Sequence, residues 1–416
     1  MPDKYPRTEY RKVHLFAPRI LKLLTFLSRK QAWLSPPEIA KSFRLDGGTV
    51  SDRTLYRWFS FFEEEVGLAY FPYPRMNLLG LANVHVRIRG ARSPAVLSTV
   101  PWGHSYWVEI GLDGQPFVSQ GYWIPGNELK SFQEYWKTAK DLGMVQTANV
   151  IQVRNPNFLY SPFDEVIRED GNVDIPDSVD NEYFGELLGR HIREKYEIRI
   201  GERIATSPLV VPLVLEHLWR HCSSRHVWQA IRTKGDVDTM KYARNYLRKS
   251  VKKKGAALKI LHRQWRDLLN DFEDNFLQPV VFWPMGLLRN CLLVSFTINV
   301  DSYDRMVDLA LQISRNSVIT TMMPSTDQGG ACRMWCDPPS SQLPTVLRLV
   351  REYHSNLKPP LLGIVDLNAT RQTAQPAFCG FDWRMFDPSD LKWEFEGEDY
   401  TETLKASVQK SSKTDS

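Results

Sequence analysis

Two groups of basic side chains have the spacing needed to bind a polyanion. In the first, residues 50–66 ("VSDRTLYRWFSFFEEEV") repeat apolar side chains at helical intervals after Ser51, a residue type that caps helix N-termini. Arg53 and Arg57 fall on the opposite face, and arginine is the side chain best suited to bidentate contact with guanine. The hydroxyl side chains of this helix that we predict to contact DNA phosphates are Ser51, Thr54 and Tyr56.

The second group is denser. Residues 232–266 contain twelve Lys and Arg against two Asp, a surplus larger than the net charge of +5 of the whole chain. A solvated charged face would have the same composition, but the predicted helices around it favour DNA binding. The basic residues that we predict to contact DNA here are Lys241, Arg244, Arg248, Lys249 and Lys252.

Other residues of reactive type lack the spacing that chemistry requires. The cluster of His217, His221, Cys222 and His226 matches no zinc pattern, and no catalytic triad, phosphate-binding glycine loop or carboxylate pair is present. We therefore predict no metal, no cofactor and no catalytic residue. Cys332 and Cys336 would lie on one face of a strand, too far apart for a disulfide, and we predict buried thiols.

Composition describes a globular chain. The 416 residues are 43% hydrophobic, enough for several domains, and no apolar run is long enough to span a membrane. Five cysteines and an N-terminus without a secretory pattern indicate reduced thiols and a cytoplasmic protein that does not bind membranes.

Periodicity predicts helices followed by a sheet, twice over. Helical spacing at 17–28, 35–43 and 50–66, with glycines at 47 and 48, indicates a helix-turn-helix unit, and the strand and helix patterns after it read β-α-β-β-α-β. A second set of helices, with the same strand and helix order after it, recurs in the second half. The two sheets should pair with each other, because each leaves one face without covering helices.

The predicted fold class is α+β, with two winged-helix-like helix-turn-helix units, each followed by a ferredoxin-like βαββαβ domain. The predicted domains are a DNA-binding unit at 13–75, a ferredoxin-like domain for ligand sensing and dimerisation at 76–155, a linker with a docked helix at 156–205, a second helix-turn-helix unit with the basic helix at 206–284, a second ferredoxin-like domain at 285–372, and an extension at 373–416 with a disordered end.

This module resembles the leucine-responsive regulator/AsnC (feast/famine) family of transcriptional regulators. The resemblance rests on "SPPEIAKSF", on "TVSDRTLYRWFSFFEEEVGLAYFPYPRMNLLGLANVHVRI" and on the strand pair around Gly111 to Gly114, and it covers most of both halves. It implies binding of double-stranded DNA through the third helix and a homodimer formed by the sheet domains. It also implies an amino-acid-like effector at those domains, with Gly111 and Asp113 as ligand-binding residues. The doubled module, the linker and an extra helix in the second unit depart from the family pattern.

The sequence therefore predicts a sequence-specific DNA-binding transcriptional regulator that is not an enzyme. Sirohaem decarboxylases are an alternative, because they combine similar helical and sheet domains and use His and Arg in the sheet-domain cavity. His85, Arg87 and His104 would serve here, although the second domain shows no counterpart. A ligand-sensing or scaffold protein that no longer binds DNA is a further alternative.

Overall fold

The computed structural model describes residues 14–29, 34, 36–66, 68–74, 76, 80–91, 102–154, 156–176, 277–282, 287–326, 330–356, 360–366, 369, 386–387, 392–394 and 399–406. The predicted second helical unit therefore lies outside the described residues, except for 277–282. None of the described helices has the length and apolar character needed to cross a membrane.

The first helical unit forms as the periodicity predicts. Its helices are α1 (Pro18–Arg29), α2 (Pro36–Leu45) and α3 (Asp52–Phe61), and a π-helical turn (Phe62–Val66) follows α3. The Ser51 hydroxyl caps α3 by accepting a hydrogen bond from the Thr54 N–H at 3.2 Å. Gly47 takes a left-handed φ of 78° in the turn between α2 and α3, a conformation that glycine adopts without steric cost.

Thirteen strands are formed by the described residues. They are β1 (Ala69–Pro74), β2 (Leu81–Arg89), β3 (Gly103–Gly111), β4 (Pro116–Pro125), β5 (Thr147–Val153), β6 (Asn157–Tyr160), β7 (Leu277–Phe282), β8 (Val294–Asn299), β9 (Ile319–Pro324), β10 (Ala331–Cys336), β11 (Leu361–Val365), β12 (Phe386–Asp387) and β13 (Lys392–Trp393). The remaining named helices are α4 (Leu129–Asp141), α5 (Phe163–Val166), α6 (Tyr303–Ser314) and α7 (Leu343–Tyr353).

Each half of the chain builds a sheet with the same strand order. The nine-stranded antiparallel sheet runs β5-β2-β4-β3-β11-β8-β10-β9-β6. In both halves the fourth strand lies beside the first, followed by the third and then the second, which is the ferredoxin-like arrangement. Helix α4 packs on the first half, and α6 and α7 pack on the second. The residues at 92–100, where the first half would place its other helix, lie outside the described part of the chain.

The two half-sheets join at two places and curl the whole sheet into a barrel. β3 of the first half pairs with β11 of the second, and β6, which continues from β5, pairs with β9. Two further hydrogen bonds extend this second junction to the end of β5. The Arg154 N–H donates to the Pro324 carbonyl at 2.7 Å, and the Thr326 N–H donates to the Gln152 carbonyl at 3.1 Å. The expected pairing of the two sheets thus occurs within one chain, and it is reciprocal: the second strand of each half meets the fourth strand of the other or its continuation.

The helical unit is docked against the second half of the barrel. Its core includes Tyr160, Phe163 and Val318, and the Thr25 hydroxyl donates to the Asp164 carboxylate at 2.6 Å. Strands β1 and β7 pair antiparallel beside it, so the junctions that precede the two sheets meet each other.

Two segments that were predicted as a linker and as an extension also contribute to the packed fold. Residues 157–166, which fall in the predicted linker, form β6 and α5 because their apolar side chains complete the helical-unit core. In the C-terminal extension, the helical residues at 399–406 add Leu404 to the core of the first half, and Trp393 packs edge-on against Trp102.

Candidate functional site

Polar and charged side chains point into the barrel from both halves. Strand alternation places Val84, Val86 and Ile88 against α4, so His85 and Arg87 face the interior. The same alternation in β10 directs Cys332, Met334 and Cys336 toward α6 and α7 and directs Arg333 inward. The buried thiols predicted for Cys332 and Cys336 are confirmed, and burial raises the pKa of both thiol groups.

Glu109 is the centre of this interior cluster. Its carboxylate accepts from the Arg87 guanidinium at 3.1 Å and from the Arg333 guanidinium at 3.2 Å. Two hydroxyls complete the network: Ser295 donates to Glu109 and accepts from Arg87, and Ser119 accepts from Arg333. Glu109 and Arg333 are fully buried, so these are ion pairs removed from water.

A glycine makes room for the Glu109 carboxylate. Gly363 of β11 lies in register with Gly111 of β3, and a Cβ atom at position 363 would come within 2.5 Å of the Glu109 carboxylate and 2.4 Å of the Phe117 ring. A larger residue would displace the acid from between the two arginines.

Burial lowers the pKa of both guanidinium groups. Loss of solvation lowers the pKa of Arg87, and loss of solvation together with the charge of Arg87 lowers the pKa of Arg333 to about 9. Arg333, with a pKa of about 9, therefore remains charged at neutral pH, and two arginines share one carboxylate in the cluster.

Two histidines lie at one side of the cluster. A register shift after Gly103 places the His104 ring 4.3 Å from the Trp123 ring, stacked on it, and 5.9 Å from the His85 ring. Burial lowers the pKa of His104 to about 3, and burial and the nearby Arg333 charge lower that of His85 well below its ordinary value. Both imidazoles are therefore neutral at pH 7, and each ring offers one hydrogen-bond donor and one acceptor.

A second site lies at the N-terminus of α3. A cleft of about 390 Å³ is lined by Arg19, Arg44, Thr49, Val50, Ser51, Thr54 and Trp58. The Arg19 guanidinium lies 5.4 Å from the centroid of the Trp58 ring, and both Arg19 and Arg44 are exposed. Three helices thus bring two arginines and a helix N-terminus to one opening.

The predicted DNA-binding residues of α3 line this region in part. Ser51 and Thr54 lie in the cleft, Arg53 is exposed, and Tyr56 and Arg57 are half-buried. Trp58 and Phe62 are buried in the core of the helical unit. Lys241, Arg244, Arg248, Lys249 and Lys252 lie outside the described residues, as do His217, His221, Cys222 and His226.

The predicted ligand-binding residues belong to a hairpin turn. Asp113 pairs with Arg89 at 2.7 Å, and its carboxylate accepts from the Gln115 N–H at 3.2 Å. The Gly111 N–H donates to the Gln115 carbonyl at 2.9 Å. These contacts give Gly111 and Asp113 a role in stabilising the turn. Ligand binding by these two residues stays a prediction.

Sequence reasoning missed the residues that complete both sites. Glu109 and Arg333 are the only charged residues of "YWVEI" and "CRMWC", and a charge on the inner face of an apolar strand was the available signal. The sequence showed no counterpart to Arg87 in the second domain. The structure supplies one in Arg333, which pairs with the same Glu109 carboxylate. Arg19 and Arg44 carried no signal, because nothing in their local pattern places them beside α3.

Comparisons with known proteins give structural neighbours only. No protein-family model and no curated protein matches the chain. A crystal structure of the siroheme decarboxylase NirDL is similar at 10% identity and a TM-score of 0.44, covering 93% of this chain and 98% of that chain. A second NirDL structure, in complex with an iron-uroporphyrin III analogue, gives 10% identity, a TM-score of 0.41, and 83% and 90% coverage. An anthrone oxidase-like protein gives 7% identity, a TM-score of 0.28, and 69% and 90% coverage.

These neighbours correct one prediction. The statement that the chain is not an enzyme is wrong, because the neighbours include a siroheme decarboxylase, which is an enzyme. Similarity at this level carries no particular activity to this chain.

Replacing Glu109 tests the central ion pairs. Glu109→Gln removes the only negative charge of the cluster and leaves two buried arginines uncompensated, so we expect the free energy of unfolding to fall by about 3–5 kcal/mol. The matched control, Asp113→Asn, breaks a solvent-exposed pair and should change the free energy of unfolding far less. Urea denaturation at pH 7 measures both, and equal losses would contradict a central role for Glu109.

The histidines make stability depend on pH. The lowered pKa of His104 means that the unfolded chain binds a proton below about pH 6.5 while the folded chain does not, so stability is full above that pH and falls as the pH drops toward 3. Between pH 7.5 and 5 we expect His104→Gln to lose about 1–2 kcal/mol less stability than the unmodified chain. Urea titrations at both pH values measure the difference, and identical losses would show that His104 does not titrate in this way.

Proposed function

We propose that this protein binds double-stranded DNA through its N-terminal helical unit and acts as a transcriptional regulator. The observation that carries the proposal is the basic cleft at the N-terminus of α3, where Arg19 of α1 and Arg44 of α2 stand beside Ser51 and Thr54. A helix-turn-helix unit places the N-terminal residues of its third helix nearest the bases, while neighbouring groups hold the phosphates.

The charges around the cleft fit a phosphate backbone. Lys22 is exposed, and its amine comes within 4.0 Å of where a Cβ atom on Gly47 would lie, in the turn before α3. The carboxylates of Asp46 and Asp52 are also exposed near this turn, so they would repel phosphate locally. We therefore assign Arg19, Lys22 and Arg44 to the backbone and the exposed Arg53 to base recognition.

The half-buried state of Arg57 changes its assigned role. Arg57 has an interaction within the fold, whereas Arg53 is exposed one turn nearer the helix N-terminus. We propose that Arg53 makes the larger contribution to sequence discrimination and that Arg57 supports the helix position. Binding by the basic residues at 241–252, an amino-acid-like effector and a homodimer remain predictions.

Variants of the cleft separate the two kinds of contact. Arg19→Ala with Arg44→Ala should weaken binding to every duplex and lower the slope of log affinity against log salt by about 2, because each lost phosphate contact contributes about 0.9. Arg53→Ala should instead cost about 1–3 kcal/mol on a selected duplex and little on a scrambled one.

Fluorescence anisotropy at several salt concentrations, on a duplex selected from random DNA, measures both effects. Arg305→Ala is the matched control, since Arg305 is an exposed arginine of α6, in the second half of the barrel. An unchanged salt slope in the double variant, or equal losses on both duplexes for Arg53→Ala, would contradict the assignment.

A second candidate function follows from one observation inside the barrel. Arg333 supplies the second-half cation that a decarboxylase-like site with His85 and Arg87 required. On this proposal the chain acts on a carboxylate-bearing tetrapyrrole, the class of compound bound in one NirDL structure.

Titration with iron-uroporphyrin III tests this candidate independently of DNA. A saturable shift of the Soret band that Arg333→Met weakens at least tenfold is the expected result. A spectrum identical to that of the free porphyrin at equimolar protein would exclude it.

A further inference from the structure

We propose that the barrel interior beside Arg333 and His85 binds one small monocarboxylate. This inference is independent of DNA binding and requires no tetrapyrrole. It rests on the charge balance, the unpartnered donors and the wall of the interior cluster.

The charge balance of the cluster calls for one negative charge. Arg87 and Arg333 are paired with a single carboxylate, that of Glu109, and all three side chains are at most 7% exposed. A buried charge without a counter-charge costs several kcal/mol, and a monoanion would neutralise the surplus. A phosphate dianion would instead leave a buried negative charge, which favours a carboxylate.

The donors needed to hold such a ligand are unused. Among the described residues, the Nε and Nη1 atoms of Arg333, the Nε atom of Arg87 and the Nε2 atom of His85 are buried and have no hydrogen-bond partner. Native proteins satisfy nearly all such groups, so four unpartnered nitrogens in one cluster indicate a missing acceptor. A carboxylate accepts from guanidinium N–H groups in strong, charge-assisted hydrogen bonds.

The surrounding wall is apolar and aromatic. The Arg333 guanidinium lies over the Trp335 ring at 4.8 Å, and the Trp107 ring lies 5.3 Å from that of Trp335. Met323 is directly opposite Arg333 in the β9–β10 register, and Val365 is opposite Glu109 in β11. The carboxylate would meet the donors while a short hydrocarbon body meets this wall.

A monocarboxylate held entirely within the barrel must be small. The interior of a barrel of about eight strands is nearly filled by side chains, so an enclosed ligand has little space. We therefore expect a monocarboxylate of a few non-hydrogen atoms rather than a long-chain acid.

Equilibrium dialysis of the full chain with radiolabelled acetate, at ionic strength fixed by sodium chloride, tests the proposal. We expect saturable binding of one acetate per chain, displaced by unlabelled acetate and not by acetamide, its neutral isostere. Arg333→Met should weaken binding at least tenfold, while Arg305→Met, at an exposed arginine, should leave it unchanged.

His85→Phe provides a second variant should Arg333→Met fail to fold, and it should weaken acetate binding several-fold. The proposal is overturned by the absence of saturable uptake, by displacement with acetamide, or by equal binding in a folded Arg333→Met or His85→Phe variant. None of these outcomes bears on DNA affinity, so the two functions fail or succeed separately.

Discussion

The Glu109 carboxylate is the point on which the barrel depends. It comes from β3 of the first half, and it accepts hydrogen bonds from Arg87 of the same half and from Arg333 of the second. A closed barrel in which the halves met in another register would leave Arg333 buried without its counter-charge, which costs several kcal/mol. The ion pairs therefore fix how the two halves face each other, in addition to the hydrogen bonds between their edge strands.

Duplication gives the chain a way to pair its own sheet edges. An isolated ferredoxin-like sheet exposes two edge strands, and exposed edges recruit other chains. Here β3 pairs with β11, and the continuation of β5 into β6 pairs with β9, so both junctions lie within one molecule. The polar inner faces of both halves consequently enclose one interior, and the residues of the buried site come from both halves.

The protein presents positive charge in two physically different settings. Arg19 and Arg44 are exposed at the helical unit, where water and salt screen them and where they suit a polyanion that makes many weak contacts. Arg87 and Arg333 are buried, where each charge interacts strongly with its neighbours because water does not screen it. The two settings suit different ligands, so the proposed DNA-binding surface and the proposed small-molecule site are compatible in one chain.

The sequence by itself determined the local elements, because helical and strand periodicity are set by neighbouring residues. The Ser51 cap of α3, the alternation in β2 and the repeated strand order of the two halves were all readable in this way. Only the tertiary structure decided which strands meet across the halves, because open sheet edges carry no local signal of their partner. Arg333 and Glu109 are 224 positions apart, and the charged residue in each strand gave no indication of the other. Burial and charge pairing brought them together, and these depend on the closed barrel rather than on any local pattern.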